Sequence, residues 1–124
     1  GKAETEAIIK AFTRFTFLMH EAGVLHGDHN AGNTLVAREA DGLRFAVIDI
    51  NRMRFGPLDL KQRLGNFVRL TDDVAHMRLM AKTYAELTAE DADRCETLLM
   101  ALKRRHWRRL ALRKRVKRLL RGRE

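Results

Sequence analysis

The feature that most limits how this chain folds is a pair of short apolar runs joined by a tight-turn signal. Thr34-Leu35-Val36-Ala37 and Leu43-Arg44-Phe45-Ala46-Val47-Ile48 flank Arg38-Glu39-Ala40-Asp41-Gly42. Asp-Gly between two apolar segments predicts an antiparallel hairpin. A hairpin returns the chain to its starting edge. The polar loop before the first strand, residues 27–33, and Asp49, directly after the second, therefore emerge side by side. Asp28, Asn33 and Asp49 are expected to converge there. One such residue alone reads as a turn former. Together, carboxylate and amide oxygens suit a hard cation such as Mg²⁺ on a nucleotide phosphate.

Helical periodicity surrounds the hairpin. Over residues 4–22, Ile8, Phe12, Phe15, Met19 and Ala22 recur at three- and four-residue steps, with Ala7, Ala11 and Leu18 beside them and Gly23 as the stop. Residues 60–87 read as two helical pieces, with Thr71-Asp72-Asp73 as the cap of the second and Val74, Met77, Leu79, Met80, Ala81 and Tyr84 as its apolar side. Thr88-Ala89-Glu90-Asp91 resembles a capping box into a long last helix, whose Cys95, Leu98, Leu99 and Leu102 share a face. Residues 1–124 are thus expected to be one α+β, mainly α unit: a loop-bearing region over 1–87 and a long basic helix over 88–124. Cys95, the one cysteine, reads as a small core residue and fits a reducing compartment.

Charge is strongly partitioned. The net of +9 divides into +11 over residues 101–124, with 12 basic and one acidic side chain, and −2 over the rest. Arg104, Arg105, Arg108, Arg109, Arg113, Lys114 and Arg115 interleave with Trp107, Leu110, Leu112, Val116, Leu119 and Leu120. A basic amphipathic helix with a tryptophan is expected to lie on an anionic membrane surface or to pack on the body through its leucines. Nucleic acid is disfavoured as a partner, because no fold signature for it accompanies the basic run. No apolar run approaches the roughly 18–20 residues of a membrane span.

His26-Gly27-Asp28-His29-Asn30-Ala31-Gly32-Asn33, then Val47-Ile48-Asp49 after the hairpin, resembles the catalytic and metal loops of the protein-kinase-like fold. The resemblance implies that Asp28 is the catalytic base or orienting carboxylate, that Asn33 and Asp49 hold Mg²⁺ on ATP, and that His26 braces the loop. Departures narrow it. Gly27 stands where protein kinases carry Arg, Asn30 where they carry Lys, and Ile50-Asn51 in place of Phe-Gly. Asn30, Gly32-Asn33 and Ile48-Asp49-Ile50-Asn51-Arg52, with Met53-Arg54-Phe55-Gly56-Pro57 following, are most similar to the bacterial lipopolysaccharide kinases of the Kdo/WaaP type.

That likeness implies ATP-dependent phosphorylation of a lipid-linked inner-core sugar at the cytoplasmic face of the inner membrane. Asn30 and Arg52 would then be candidate substrate contacts. It covers roughly residues 4–87 and only the C-terminal lobe. No glycine-rich loop or Val-Ala-Ile-Lys-like strand is present, so the 124 residues alone are expected to bind ATP weakly and turn over little. Two alternatives stand beside it: an aminoglycoside- or choline-type phosphotransferase, and a non-catalytic kinase-like module that engages membrane or nucleic acid through residues 103–121. His26-Gly27-Asp28-His29 also resembles half of a binuclear zinc hydrolase signature, but Val24 occupies a position where that motif needs a histidine.

Overall fold

The computed structural model describes residues 1–48 and 52–122. In chain order they form helix α1 (Lys2–Glu21), strand β1 (Val24–His26), a single 3-10 turn (Ala31–Asn33), strands β2 (Thr34–Glu39), β3 (Gly42–Val47) and β4 (Met53–Phe55), and helices α2 (Leu60–Gly65), α3 (Val74–Thr88) and α4 (Ala92–Arg121). The class is α+β, mainly α, as the periodicities indicate.

The expected hairpin is present and tighter than its sequence suggests. β2 and β3 pair antiparallel from Thr34↔Val47 to Glu39↔Gly42, so Ala40-Asp41 is the whole loop. A second antiparallel pair, β1 with β4, runs from Val24↔Phe55 to His26↔Met53. Its strands are three residues each, too short for alternation to reveal them.

α1 ends where Gly23 takes φ +78° and donates its N–H to His20 O at 2.9 Å. Glycine adopts this left-handed geometry without a Cβ penalty. The buried line of α1 differs from the predicted stripe. Ile9, Phe12, Thr13, Thr16 and His20 are buried, while Ile8, Phe15 and Met19 are half-buried and Ala22 is exposed. The helix is sandwiched rather than laid on one surface. Phe12 and Phe15 meet Phe45 of the hairpin at ring separations of 5.4 and 5.6 Å, while the opposite flank packs on α3. The most enclosed line is the seam between those two contacts, and polar residues there find partners.

The core lies among α1, α2, α3 and the first turns of α4: Ile9, Leu64, Phe67, Met77, Met80, Ala81, Tyr84, Ala85, Cys95 and Leu99. Each fully buried large side chain contributes roughly 1.5–3 kcal/mol of transfer free energy. Asp73 caps α3, accepting from the His76 N–H. The cap expected at Thr88 belongs instead to Asp91, which accepts from the Arg94 N–H. Thr88 closes α3, its hydroxyl donating back to Tyr84 O at 2.9 Å, and Ala89 makes the left-handed turn at φ +57°.

α4 divides in two. Cys95, Leu99 and Lys103 are buried, whereas every residue from Arg108 to Gly122 is exposed. Lys103 is not part of a surface patch. Its ammonium donates to Val68 O, pairs with Asp72 at 2.9 Å, and lies 5.3 Å from the centre of the Trp107 ring.

Candidate functional site

The site is built on the turn that follows β1. His26 is fully buried and clamps both sides of the hairpin edge. Its Nδ1 accepts the Asp28 N–H at 3.0 Å, so its Nε2 donates to Ile48 O at 2.6 Å. The Ile48 N–H in turn donates to Asn33 O at 2.9 Å. The loop before β2 and the chain leaving β3 are thereby joined backbone to backbone. Asp49, the third member of the expected oxygen cluster, lies outside the described residues.

Gly27 donates its N–H to Arg52 O at 2.6 Å, and a Cβ placed on Gly27 would lie 2.7 Å from that same oxygen. No side chain fits this contact. The departure from the protein-kinase pattern at position 27 is therefore a steric requirement of the join between β1 and the segment leading into β4.

Asp28 is half-buried and surrounded by donors. Asn30 Nδ2 donates to Oδ1 at 3.0 Å, Asn33 Nδ2 to Oδ2 at 3.1 Å and to the Asp28 carbonyl at 2.9 Å, and Arg69 Nη1 to Oδ1 at 3.1 Å. Desolvation pulls the Asp28 carboxyl upward, but the hydrogen bonds from Arg69, Asn33 and Asn30 outweigh it and hold the group below the usual carboxylate range. These donors favour the anionic form of Asp28.

Asn30, expected as a substrate contact, is bonded within the loop. Its carboxamide is folded into the loop, the nitrogen on Asp28 and the oxygen accepting the Asn33 N–H at 3.1 Å as the cap of the 3-10 turn. Asn30 shapes the loop, because a three-residue turn needs its free N–H groups satisfied. Asn33 commits its amide nitrogen to Asp28, and among the described residues nothing donates to its amide oxygen. That oxygen fits a hard cation. Among the described residues, no three His, Cys, Asp or Glu side chains cluster as a metal site of their own.

Arg52 is exposed, with its carbonyl engaged by Gly27. Arg105 and Arg109 line a cleft beside the loop, and Arg104, Arg108, Arg113, Lys114 and Arg115 are exposed on α4. Trp107, expected as a membrane or anion contact, is half-buried. Its indole N–H donates to Asp72 at 3.1 Å and its ring packs against the core, because α4 is still seated on the body at that turn.

Several residues that position the site carry no motif. His20 on α1 is hydrogen-bonded to Tyr84 at 2.8 Å and to Asn66 at 2.9 Å, and Asn66 Nδ2 donates to His26 O at 2.7 Å. This links α3 through α1 to the loop. Burial lowers the His20 pKa to about 4. His29 is buried, stacked on Phe12 at 5.0 Å and bonded to Thr16 at 3.0 Å. Burial, then the nearby His26 and His20, lower its pKa to about 3, and its Nδ1 has no partner among the described residues. The signal available in the sequence was the polar set Thr13, Thr16 and His20 on a helix with enough apolar residues to bury. For Arg69 there was none.

Among known proteins, the family described as lipopolysaccharide kinase (Kdo/WaaP) matches residues 1–91. No curated protein matches the chain.

Proposed function

The chain belongs to the lipopolysaccharide kinase (Kdo/WaaP) family, and on that premise we propose that it carries the acceptor-side machinery for ATP-dependent phosphorylation of an inner-core sugar of lipopolysaccharide. Membership makes the chemistry kinase-like phosphotransfer of the lipopolysaccharide-kinase type. In this reading residues 1–87 form the C-terminal lobe of a protein-kinase-like fold. The observation that carries the assignment is the Asp28 carboxylate, kept anionic by Asn30, Asn33 and Arg69 on a loop that His26 pins to the hairpin.

Phosphoryl transfer passes through a loose transition state, so positioning and electrostatics do most of the work. Asp28 accepts a hydrogen bond from the acceptor hydroxyl, orients it for in-line attack, and takes its proton as the new O–P bond forms and the bond from the γ-phosphorus to the bridging oxygen breaks, releasing ADP. Asn30 and Asn33 fix the carboxylate plane, so little reorganisation is needed at that step. Asn33 Oδ1, with Asp49, would hold Mg²⁺, whose chemistry is to neutralise charge on the transferring phosphates. Without a glycine-rich loop or a strand lysine within its 124 residues, the isolated chain binds ATP weakly and turns over little.

The exposed distal part of α4 supports a peripheral membrane location. Leu112, Val116, Leu119 and Leu120 are 61, 45, 70 and 61% exposed on a helix dense in Arg and Lys. No described helix is long and apolar enough to cross a membrane.

The test is transfer of phosphate from ATP to purified lipopolysaccharide acceptor by the protein that carries this chain. Asp28→Asn preserves shape and removes the charge, and is expected to abolish turnover while the fold is retained. Unimpaired transfer by Asp28→Asn would overturn the assignment.

A further inference from the structure

Beside the Asp28 loop lies a cleft of about 290 Å³ whose wall includes Gly27, Arg54, Arg69, Arg105, His106 and Arg109. The cations come from three separate places: β4, the turn after α2, and two successive turns of α4. Among the described residues no Asp or Glu lines the cleft. Arg54, Arg105 and Arg109 form no ion pair there, although elsewhere on the surface Arg38, Arg44, Arg78 and Arg94 each do. Arg69 is paired with Asp28 at 3.1 Å, but the charges of Arg54, Arg105 and Arg109, gathered beside it without an ion pair among the described residues, repel one another, and an anion there removes that repulsion.

Two further observations point the same way. His106 lines the same cleft, and burial first, then the charges of Lys103, Arg69 and Arg113 against the opposing Asp72, lower its pKa. Position 27 cannot supply a cation, since any Cβ there meets Arg52 O at 2.7 Å. Arg105 and Arg109 of α4 line the cleft beside Gly27.

We propose that this cleft binds a phosphate monoester, with Arg54, Arg105 and Arg109 as its ligands. Planar guanidinium forks match phosphate oxygens in paired hydrogen bonds. Arg69 lines the same cleft and donates to Asp28 Oδ1 at 3.1 Å, so a phosphate there competes with Asp28 for it. A bound phosphate thus draws Arg69 off the carboxylate and leaves Oδ1 open to a hydroxyl. This last step rests on the phosphotransfer reading of Asp28: the ligand is then an acceptor that already bears a phosphate.

The experiment is a titration of the 124-residue chain with inorganic phosphate and with glucose 6-phosphate at fixed ionic strength, with glucose as neutral control, following the His106 ring and the Gly27 amide by NMR. Saturable shifts with both phosphates and none with glucose are expected. Arg54→Ala with Arg105→Ala should weaken binding by on the order of tenfold or more. Arg115→Ala with Lys117→Ala, on the exposed end of α4, should leave it within about twofold. Equal weakening by both pairs, or shifts that never saturate, would overturn the site and leave only a diffuse basic surface. An unchanged thermal midpoint in the cleft pair keeps lost binding from being lost folding. Vesicles containing phosphatidic acid provide a second arm: if they displace glucose 6-phosphate the phosphate is lipid-borne, and if they do not it is carried by a sugar. No nucleotide is present, so failure here leaves the role of Asp28 standing. Conversely, active transfer by Asp28→Asn with intact phosphate binding would remove the catalytic reading and keep the cleft.

Discussion

The loop at residues 26–33 and the distal stretch of α4, residues 110–121, are both short and rich in polar groups, yet they are organised in opposite ways. In the loop, His26, Asp28, Asn30 and Asn33 share a closed set of hydrogen bonds, and two histidines are sunk below the surface. In distal α4 every residue is exposed, and no ion pair or side-chain hydrogen bond ties it to the body among the described residues. A site that positions one hydroxyl needs side chains held to fractions of an ångström. A surface that attracts charge needs only density, because Coulomb attraction is summed over many cations and tolerates disorder in each. Single substitutions should therefore be severe in the first region and mild in the second.

The sharpest break in that comparison is Asp28→Ala. Removing a positioned general base costs on the order of 10²–10⁴-fold in rate, measured as phosphate transferred from ATP. Because the Asp28 pKa is depressed, activity should not fall with its titration on mild acidification. Any acid loss should follow unfolding seen by circular dichroism.

Next in size, Lys103→Ala removes a fully enclosed ammonium that ties α4 to Val68 and Asp72. The expected loss is about 3 kcal/mol in urea denaturation, far above any substitution among residues 110–121. Gly27→Ala follows, at about 1–3 kcal/mol, since its Cβ forces the Arg52 carbonyl away. A fully stable Gly27→Ala would show that the join can relax.

Acidification probes the loop side and spares residues 110–121, which hold no histidine. His20 and His29 have pKa values lowered to about 4 and 3 from an ordinary 6.5. The folded state binds fewer protons, so their stabilisation is complete above pH 6.5 and is lost as pH falls toward those values. At pH 5 each should have forfeited roughly 2 kcal/mol. Denaturation midpoints at pH 7.5 and 5 test this, and His29→Gln should flatten the difference.

The smallest effect belongs to the tail. Replacing Leu112, Val116 and Leu119 by Gln should change stability by less than about 0.5 kcal/mol while weakening binding to phosphatidylglycerol vesicles. Unaltered vesicle binding would remove the membrane role.

The two regions also differ in how much of them was written in the sequence. The hairpin, the convergence of its flanking loops and the capped start of α3 follow from local chemistry: Asp-Gly, alternation, and Asp73 before a helical period. The buried seam of α1 does not, because it depends on two layers closing on the helix from different sides. Nor does β4, three residues paired across a gap of nearly thirty. Nothing in the local sequence pattern marked Arg69, and Lys103 was counted with the basic run over residues 103–121; only the packing of the 66–72 segment between the loop and α4 gives each a carboxylate partner. The seat of Trp107 against the core was illegible for the same reason, since the amphipathic pattern of α4 does not say where the body ends.

The bridge through Asn66 has one more consequence. Asn66 gives its N–H to His26 O, so its oxygen must be the acceptor and His20 Nε2 must carry the hydrogen. His20 Nδ1 then holds a lone pair, which the Tyr84 hydroxyl fills. Every hydrogen from α3 to the loop therefore points in one direction, and a single tautomer of His20 is selected. A second proton on that ring would place a hydrogen where the tyrosine's already lies. Tyr84 would have to turn its hydroxyl away, beside Arg63, which already donates to the same oxygen at 3.4 Å. The polarity of this chain is fixed at its far end by a backbone carbonyl that cannot reverse, so the position of the Asp28 loop is tied to a neutral histidine that never touches it.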